Sequence, residues 1–124
     1  MNKINTFEKI VLFILVNAVS CWTLTSCEKI NVPKDTPRCM KKMIKEENDG
    51  GCASKITRYN YNGETVYLVS PDDNRCSDGG YYVYDDDCNH ICTPKGTIFG
   101  IKEDARCPDF FILATDSVGI WIRE

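Results

Sequence analysis

The sequence predicts a small α+β domain stapled by disulfides, in which one N-terminal helix packs on an antiparallel sheet of four to five strands. Three observations support this fold class. An amphipathic run follows Pro37, the pair Asn62-Gly63 separates two strand-like runs, and six cysteines are spread over residues 39–107. A domain of about 100 residues buries roughly 60% or more of its unfolded surface, so it can have a core of its own.

The first 26 residues have the layout of a secretory signal peptide. The first nine residues carry the basic side chains Lys3 and Lys9. Residues 10–16 are all apolar, and polar or small residues follow. The apolar stretch is much shorter than the about 20 residues that a membrane-spanning helix needs. We therefore expect a cleaved signal peptide, and an uncleaved membrane anchor is the less favoured alternative.

Leu24-Thr25-Ser26-Cys27 resembles the lipobox of bacterial lipoproteins, in which the cysteine is acylated and becomes the mature N-terminus. The resemblance implies lipidation of Cys27, and Ala18-Val19-Ser20-Cys21 is a weaker competing box. Several acyl chains on one cysteine anchor a protein stably, whereas one chain binds reversibly. In the best-known lipoproteins an Asp after this cysteine favours the inner membrane. Because Glu28 stands there, we expect a lipid-anchored protein of the cell envelope, at the outer membrane.

Cleavage before Cys27 leaves 98 residues, which form one domain. Residues 27–37 contain two prolines and no apolar periodicity, so they are expected to form the lipidated cysteine and its tether, and residues 38–124 the domain. The net charge changes from −3 to −4 when residues 1–26 are removed. Nucleic-acid binding requires cations that neutralise phosphates, so it is not expected. The expected partners are the membrane, through the lipid anchor, and an extracellular protein or glycan.

The first predicted element is a helix that Thr36 caps and that has Pro37 at its first position. A polar run at residues 48–51 ends it. Apolar side chains recur at the i, i+3, i+4 spacing of one helical face, namely Cys39, Met40, Met43 and Ile44.

A β-hairpin is predicted next, with strands at residues 56–61 and 64–69 around a type I′ turn at Asn62-Gly63. Counting outward from the turn pairs Tyr61 with Glu64, Tyr59 with Val66 and Thr57 with Leu68. One face of the hairpin is then mainly apolar. The other is expected to be wet, as is common in antiparallel sheets, and carries Arg58, Asn60, Thr65 and Tyr67.

The remaining strands are predicted at residues 81–84, 97–101 and 119–123. The first two form a second pair, joined across a turn region at residues 88–96. Because side chains alternate along a strand, Ile120 and Ile122 are expected on one face and Trp121 on the other.

The cysteines predict three disulfides. Cys21 leaves with the signal peptide and Cys27 is acylated, and the six that remain are in an oxidising compartment. Each bridge is expected to contribute about 2 to 4 kcal/mol. Six cysteines allow about 15 connectivities, and we expect Cys39 to pair with Cys107. The other four cysteines then form the two disulfides in the middle of the chain, namely Cys52, Cys76, Cys88 and Cys92.

Several motifs resemble those of a family of small, cysteine-rich bacterial lipoproteins that is known as a domain of unknown function. They are Val66-Tyr67, Cys76-x-Asp78, Val83-Tyr84-Asp85, Cys88-x-x-x-Cys92-x-Pro94-x-Gly96 and Arg106-Cys107-Pro108-Asp109-Phe110. The family carries a glycine-rich stretch before the final Cys-Pro. Here only Gly96 and Gly100 remain of it, and Lys102-Glu103-Asp104-Ala105 takes its place. The resemblance implies a lipoprotein and no particular activity.

No catalytic residue, cofactor or metal is predicted. Asp85, Asp87 and Asn89 have the 1, 3, 5 spacing of a calcium loop, which makes them a weak calcium candidate. His90 and Gly96 stand where such a loop requires Gly and Glu, so a solvated turn is the favoured interpretation. His90 is the only histidine, which excludes a multi-histidine zinc site. We expect it on a surface turn.

Two functional classes follow. The first is a non-catalytic binding or accessory module, whose contact surface would be aromatic side chains on the wet face; exposure of Tyr67 and Trp121 would favour it. The second is an inhibitor of an extracellular protease or other hydrolase, in which Ala105-Arg106-Cys107-Pro108 forms a protruding, rigid loop. An enzyme is not expected. The aromatic candidates are Tyr59, Tyr61, Tyr67, Tyr81, Tyr82, Tyr84 and Trp121.

Overall fold

The structure, a computed structural model, describes residues 30–96 and 102–124. The predicted signal peptide, Cys27 and the predicted strand at residues 97–101 lie outside this part. Within it, no helix is long and apolar enough to cross a bilayer. The elements, in chain order, are α1 (Arg38–Asn48), β1 (Ala53–Tyr61), β2 (Glu64–Pro71), β3 (Tyr81–Tyr84), β4 (His90–Lys95), α2 (Phe110–Leu113) and β5 (Thr115–Ile122).

The strands form one antiparallel sheet of five, in the order β4-β3-β2-β1-β5. The prediction of an antiparallel sheet with four to five strands is confirmed. Sequential strands pair with one another, and β5 returns to pair with β1. From α1, Met40 and Ile44 are fully buried in one hydrophobic cluster with the sheet residues Ile56 and Tyr67.

The hairpin of β1 and β2 has the predicted turn and register. Asn62 and Gly63 have φ angles of 54° and 86°, which are the positive values that a type I′ turn requires. Asn60 accepts a hydrogen bond from the Gly63 amide, at 3.1 Å. The pairs Tyr61 with Glu64, Tyr59 with Val66 and Thr57 with Leu68 are all present.

The prediction that one face of the hairpin is wet is wrong at Tyr67, which is buried, whereas Asn60 and Thr65 on that face are exposed. Along β2, Tyr67 and Val69 belong to the cluster that contains Met40 and Ile44. Val66 and Leu68 alternate with them, and therefore point to the opposite face, where they join a second cluster with Phe110. A sheet covered on both sides needs near-continuous apolar runs, and residues 66–69 of β2 are such a run.

The predicted faces of β5 are also wrong. Ile120 and Trp121 are consecutive, yet both are buried in the same cluster, while Ile122 is 63% exposed. A β-bulge explains this: Ile56 pairs with Trp121 and Thr57 with Gly119, so Ile120 is the extra residue. One extra residue breaks the alternation of side chains along a strand.

Residues that were predicted to form a turn contain β4 instead. His90 lies at the start of this strand and Pro94 near its end. β4 is the last strand at its edge of the described sheet. A proline lacks an N–H donor and is tolerated at such an edge, so its presence does not exclude a strand.

The six cysteines form three disulfides, but the predicted pairing of Cys39 with Cys107 is wrong. Cys39 pairs with Cys88, and Cys107 pairs with Cys92. The third bridge joins Cys52, before β1, to Cys76, after β2. The connection from Cys39 to Cys88 ties α1 to the loop between β3 and β4.

The segment before α1 contacts the core. Ile30 and Val32, which were expected in the tether, pack against the cluster that contains Met40 and Trp121. The predicted cap is absent: Pro37 occupies the N-cap position without a side-chain hydrogen bond, and Thr36 is buried with no partner for its hydroxyl oxygen.

Candidate functional site

The short helix α2 exposes three consecutive apolar side chains, which we call the apolar tip. Phe111, Ile112 and Leu113 are 53%, 79% and 49% exposed. Folded monomers expose single apolar side chains everywhere, but contiguous apolar surface is typical of a contact site. This site could not be predicted from the sequence. The run Phe110-Phe111-Ile112-Leu113 was its only signal, and a run of four apolar residues is equally typical of a buried segment.

The apolar tip stands on a well-packed base. Phe110 is fully buried, and its ring centre lies 5.5 Å from that of Tyr59 and 5.1 Å from that of Tyr61. Phe111 meets the ring of Tyr81 edge to face, at 5.8 Å. The disulfide to Cys92 attaches the chain just before α2 to β4. These contacts order the backbone of α2, and an ordered segment loses less conformational entropy on any binding than a mobile one.

The two aromatic residues whose exposure would favour an aromatic contact surface lie in the core. Tyr67 is 2% and Trp121 6% exposed, so the exposure that would favour an aromatic contact surface is not found. Burial of the Tyr67 phenol raises its pKa to about 12. Next to it on β1, Arg58 forms an ion pair with Asp35, which lowers the pKa of that exposed carboxyl.

The three residues of the weak calcium candidate close a turn on themselves. The Asp85 carboxylate accepts hydrogen bonds from the amides of Asp87 and Asn89, at 3.0 and 2.8 Å, and from the Asn89 side chain at 3.0 Å. The Asn89 side-chain bond, with the backbone bonds, lowers the pKa of Asp85. In the described ranges, no group of three or more His, Cys, Asp or Glu side chains could hold a metal ion.

His90 is exposed and lies on β4, not on a turn. Its Nε2 atom is 3.2 Å from the hydroxyl oxygen of Thr93, and its ring packs edge to face with Tyr82 and Tyr84. Thr93 is itself 6% exposed. Nucleophilic catalysis requires a base that a third group orients. Among the residues described, no carboxylate pairs with this ring.

The Arg106 segment is a closed turn. The guanidinium forms an ion pair with Asp104, whose carboxylate also accepts a hydrogen bond from the Arg106 amide at 3.0 Å. The Arg106 side chain lowers the pKa of Asp104. A protease inhibitor of the substrate-like kind presents an extended loop, whereas this segment turns back between Asp104 and Cys107, whose amide donates to the Asp104 carbonyl oxygen at 3.4 Å.

The described residues thus define a small disulfide-linked α+β domain with an exposed apolar tip. A domain of unknown function, DUF6970, is found at residues 42–123, and the chain belongs to that family. The match begins after Cys39, so the disulfide to Cys88 joins it to a preceding part of the chain. No curated protein and no solved structure matched the sequence.

Proposed function

We propose that this chain is a membrane-tethered lipoprotein that acts as a non-catalytic binding or accessory module outside the cytoplasm. The lipobox-like residues at Cys27 support the tether, and the three disulfides support an oxidising compartment. The domain held at the membrane is the sheet with α1 packed on it, an arrangement supported by the cluster shared by Met40, Ile44 and Ile56.

The apolar tip is the single observation on which the binding role rests. Its side chains are one aromatic and two aliphatic groups, without a polar group to hydrogen-bond a sugar hydroxyl. We therefore favour a protein partner with an apolar groove over a glycan. Helix α2 would enter that groove with Ile112, its most exposed side chain, at the centre.

A photo-crosslinking amino acid at position 112, in the full-length protein expressed in its own host, tests this role. We expect one crosslinked partner that excess wild-type protein displaces and that excess Ile112→Glu protein does not. The matched control places the crosslinker at Thr65, an exposed position on β2. Equal crosslinking at both positions, or displacement by the Ile112→Glu variant, would overturn the proposal.

Inhibition of an extracellular protease or other hydrolase is the alternative function. Arg106 is exposed, but its side chain is engaged by Asp104. Inhibition of a trypsin-like protease by micromolar protein, abolished in Arg106→Ala and kept in Ile112→Glu, would favour this alternative. Absence of inhibition would remove it.

A further inference from the structure

The outer side of α1 is basic. Met40 and Ile44 are fully buried on its inner side, and the repeat of about 3.6 residues per turn places the opposite side in solvent. Four exposed cations lie on this opposite side, within about 100° of the helix circumference. The Lys41 ammonium donates a hydrogen bond to the Lys34 carbonyl oxygen, at 3.1 Å, so Lys34, which is also exposed, lies beside them. The four cations, which we call the basic face, are Arg38, Lys41, Lys42 and Lys45.

Helix stability does not account for these charges. The N-terminal end of a helix favours anionic side chains, yet the first turn of α1 contains Arg38 and Lys41 and no acidic residue. Like charges three or four positions apart, such as those of Lys41 and Lys45, also repel each other. The basic face therefore destabilises the free helix slightly, and an anionic surface placed against it relieves this repulsion.

Nearby carboxylates neutralise little of the basic face. Glu46 forms an ion pair with Lys42, at 3.7 Å, but both side chains are largely exposed and such pairs contribute little. Glu47 is engaged elsewhere, since it accepts a hydrogen bond from the backbone at the start of β1. Asp35 forms its ion pair with Arg58 of β1. Most of the positive charge of the basic face is therefore available to a partner.

The chain separates its charges. Residues 30–45 contain five basic and one acidic side chain, whereas residues 46–124 contain seven basic and fifteen acidic ones. The disulfide from Cys39 to Cys88 brings the acidic residues 85–87 to the flank of α1, but Cys39 lies about 110° around the helix from the centre of the basic face. One side of an acidic domain is therefore positively charged.

The basic face lies on the side of the sheet from which the N-terminal segment comes. Ile30 and Val32 pack against the cluster that contains Met40 of α1. Ile30 follows Cys27 by only three residues. An extended chain spans at most about 3.3 to 3.6 Å per residue, so the Cα atoms of Cys27 and Ile30 are within about 11 Å of each other. If Cys27 is acylated, this side of the domain stays near the headgroups.

We propose that the lipidated domain docks on the anionic phospholipid bilayer that holds its anchor, with the basic face of α1 against the headgroups. The charge of the face is complementary to that surface, and clusters of about four or more Lys or Arg side chains on a helix are typical of binding to anionic lipids. The proposal rests on the lipid anchor of the proposed function. It adds an orientation of the domain and the lipid charge that the orientation requires.

Tethering makes this contact sufficient. Docking of a covalently attached domain is intramolecular, so its effective concentration is high, in the millimolar range for short linkers. Each basic side chain near an anionic surface favours the docked state about fivefold, the equivalent of about 1 kcal/mol. Salt screens such contacts, because the Debye length falls from about 8 Å at 0.15 M to about 3 Å at 1 M. Docking must therefore depend on both the lipid charge and the salt concentration.

Docking through the basic face leaves the apolar tip for a partner. Met40 of α1 belongs to the cluster of Tyr67, whereas Phe110 of α2 belongs to the cluster of Val66 and Leu68. Tyr67 lies between Val66 and Leu68 on β2, and side chains alternate along a strand, so the two clusters are on opposite faces of the sheet. Helices α1 and α2 therefore belong to opposite sides of the domain.

Amine labelling of the wild-type protein tests the orientation. The acylated protein is reconstituted into vesicles of phosphatidylcholine and phosphatidylglycerol and treated with a membrane-impermeant acetylating reagent. Mass spectrometry then gives the labelling rate of each lysine. We expect Lys41, Lys42 and Lys45 to react at least about fivefold more slowly than in pure phosphatidylcholine vesicles, and 1 M salt to remove the difference. Lys95 and Lys102, which are exposed outside α1, should react equally fast in both lipids.

Two double variants with the same change of net charge provide the matched comparison. Lys41→Gln/Lys45→Gln should lower the ratio of docked to undocked protein about 25-fold, that is about fivefold for each lysine, as measured by the protection of Lys42. Lys95→Gln/Lys102→Gln should leave the protection of Lys42 unchanged. All four replaced side chains are exposed, so folding is not at risk.

The outcomes separate the docking from the anchor. Wild-type protein that stays in the vesicles with unprotected α1 lysines would overturn the docking and leave the anchor intact. Equal protection in both lipids, or equal protection of Lys95 and Lys102, would overturn it as well. Protection in the native membrane but not in the vesicles would mean an acidic protein occupant, which also contradicts the proposal. Protein that does not remain with the vesicles would overturn the anchor itself.

Discussion

Replacement of Arg123 should destabilise the domain more than replacement of any exposed arginine. Its guanidinium donates to four backbone carbonyl oxygens: those of Ala53 at 2.9 Å, Gly51 at 3.1 Å, Asn48 at 3.3 Å and Glu47. The last carbonyls of a helix have no partner within the helix, and a cation at this end also favours the helix dipole. One side chain at the end of β5 therefore holds the end of α1 and the start of β1.

The expected magnitude follows from these contacts. A hydrogen bond to a charged group contributes about 1.5 to 3 kcal/mol, but water can reach the part-buried carbonyls once the side chain is removed. We therefore expect Arg123→Ala to lower the free energy of unfolding by about 2 to 4 kcal/mol, well below the sum of four bonds. Arg123→Lys keeps the charge but cannot reach four carbonyls. Its free energy of unfolding should therefore lie about midway between those of the wild type and Arg123→Ala.

Urea unfolding of the oxidised protein, followed by circular dichroism, measures this effect. With a slope of about 1.5 kcal/mol per molar urea, a loss of 3 kcal/mol moves the midpoint by about 2 M. Arg75→Ala is the matched control, and its free energy of unfolding should differ from that of the wild type by less than about 0.5 kcal/mol. An Arg123→Ala variant as stable as that control, or a Lys variant equal to wild type, would refute the role of the carbonyl contacts.

Three further predictions concern the disulfides, the core and acid stability. Replacing Cys92 and Cys107 together by Ser should cost about 3 kcal/mol in urea unfolding because it opens a loop of 15 residues; a loss below 1 kcal/mol would contradict this. Thr36→Val removes a buried hydroxyl without a partner, so it should stabilise the domain by about 1 kcal/mol and raise the thermal midpoint of unfolding. A lower midpoint would contradict this, because it would mean that the hydroxyl has a hydrogen-bond partner. The lowered pKa of Asp85 adds stability that is present above its unfolded value of 3.8 and is lost as the pH falls through its folded pKa. The free energy of unfolding should therefore fall less between pH 5 and pH 2 in Asp85→Asn than in the wild type, and identical pH profiles would contradict the shift.

Local signals predicted the local parts of this fold. Asn62-Gly63 defines its turn by the backbone angles that only these residue types adopt readily, and the register of β1 and β2 follows from counting. The amphipathic spacing likewise identified the buried residues Met40 and Ile44 of α1. Both depend on residues a few positions apart.

Features that depend on distant residues could not be predicted in this way. Whether Tyr67 is wet or buried depends on what lies over that face of the sheet, and the bulge at Ile120 depends on the pairing of β5 with β1. The partner of Cys39 is one of several that spacing allows. In the sequence Arg123 looks like an ordinary surface arginine, because its contacts with the carbonyl oxygens at the end of α1 depend on the fold.

The candidate site was missed for a related reason. A run of four apolar residues after Cys107-Pro108-Asp109 is compatible with a buried strand, a buried helix or an exposed turn. Only the fold shows that Phe110 fills the core and leaves its three successors outside. The aromatic residues, by contrast, were noticed because they are numerous, and they serve mainly to fill the two clusters.

The intact mass of the protein from its native membrane, measured with and without reduction and alkylation, tests the central claim most directly. We predict the mass of residues 27–124 plus acyl groups, with no cysteine alkylated before reduction and six alkylated after it. A full-length or unacylated chain would contradict the lipid anchor, and alkylation without reduction would contradict the disulfides.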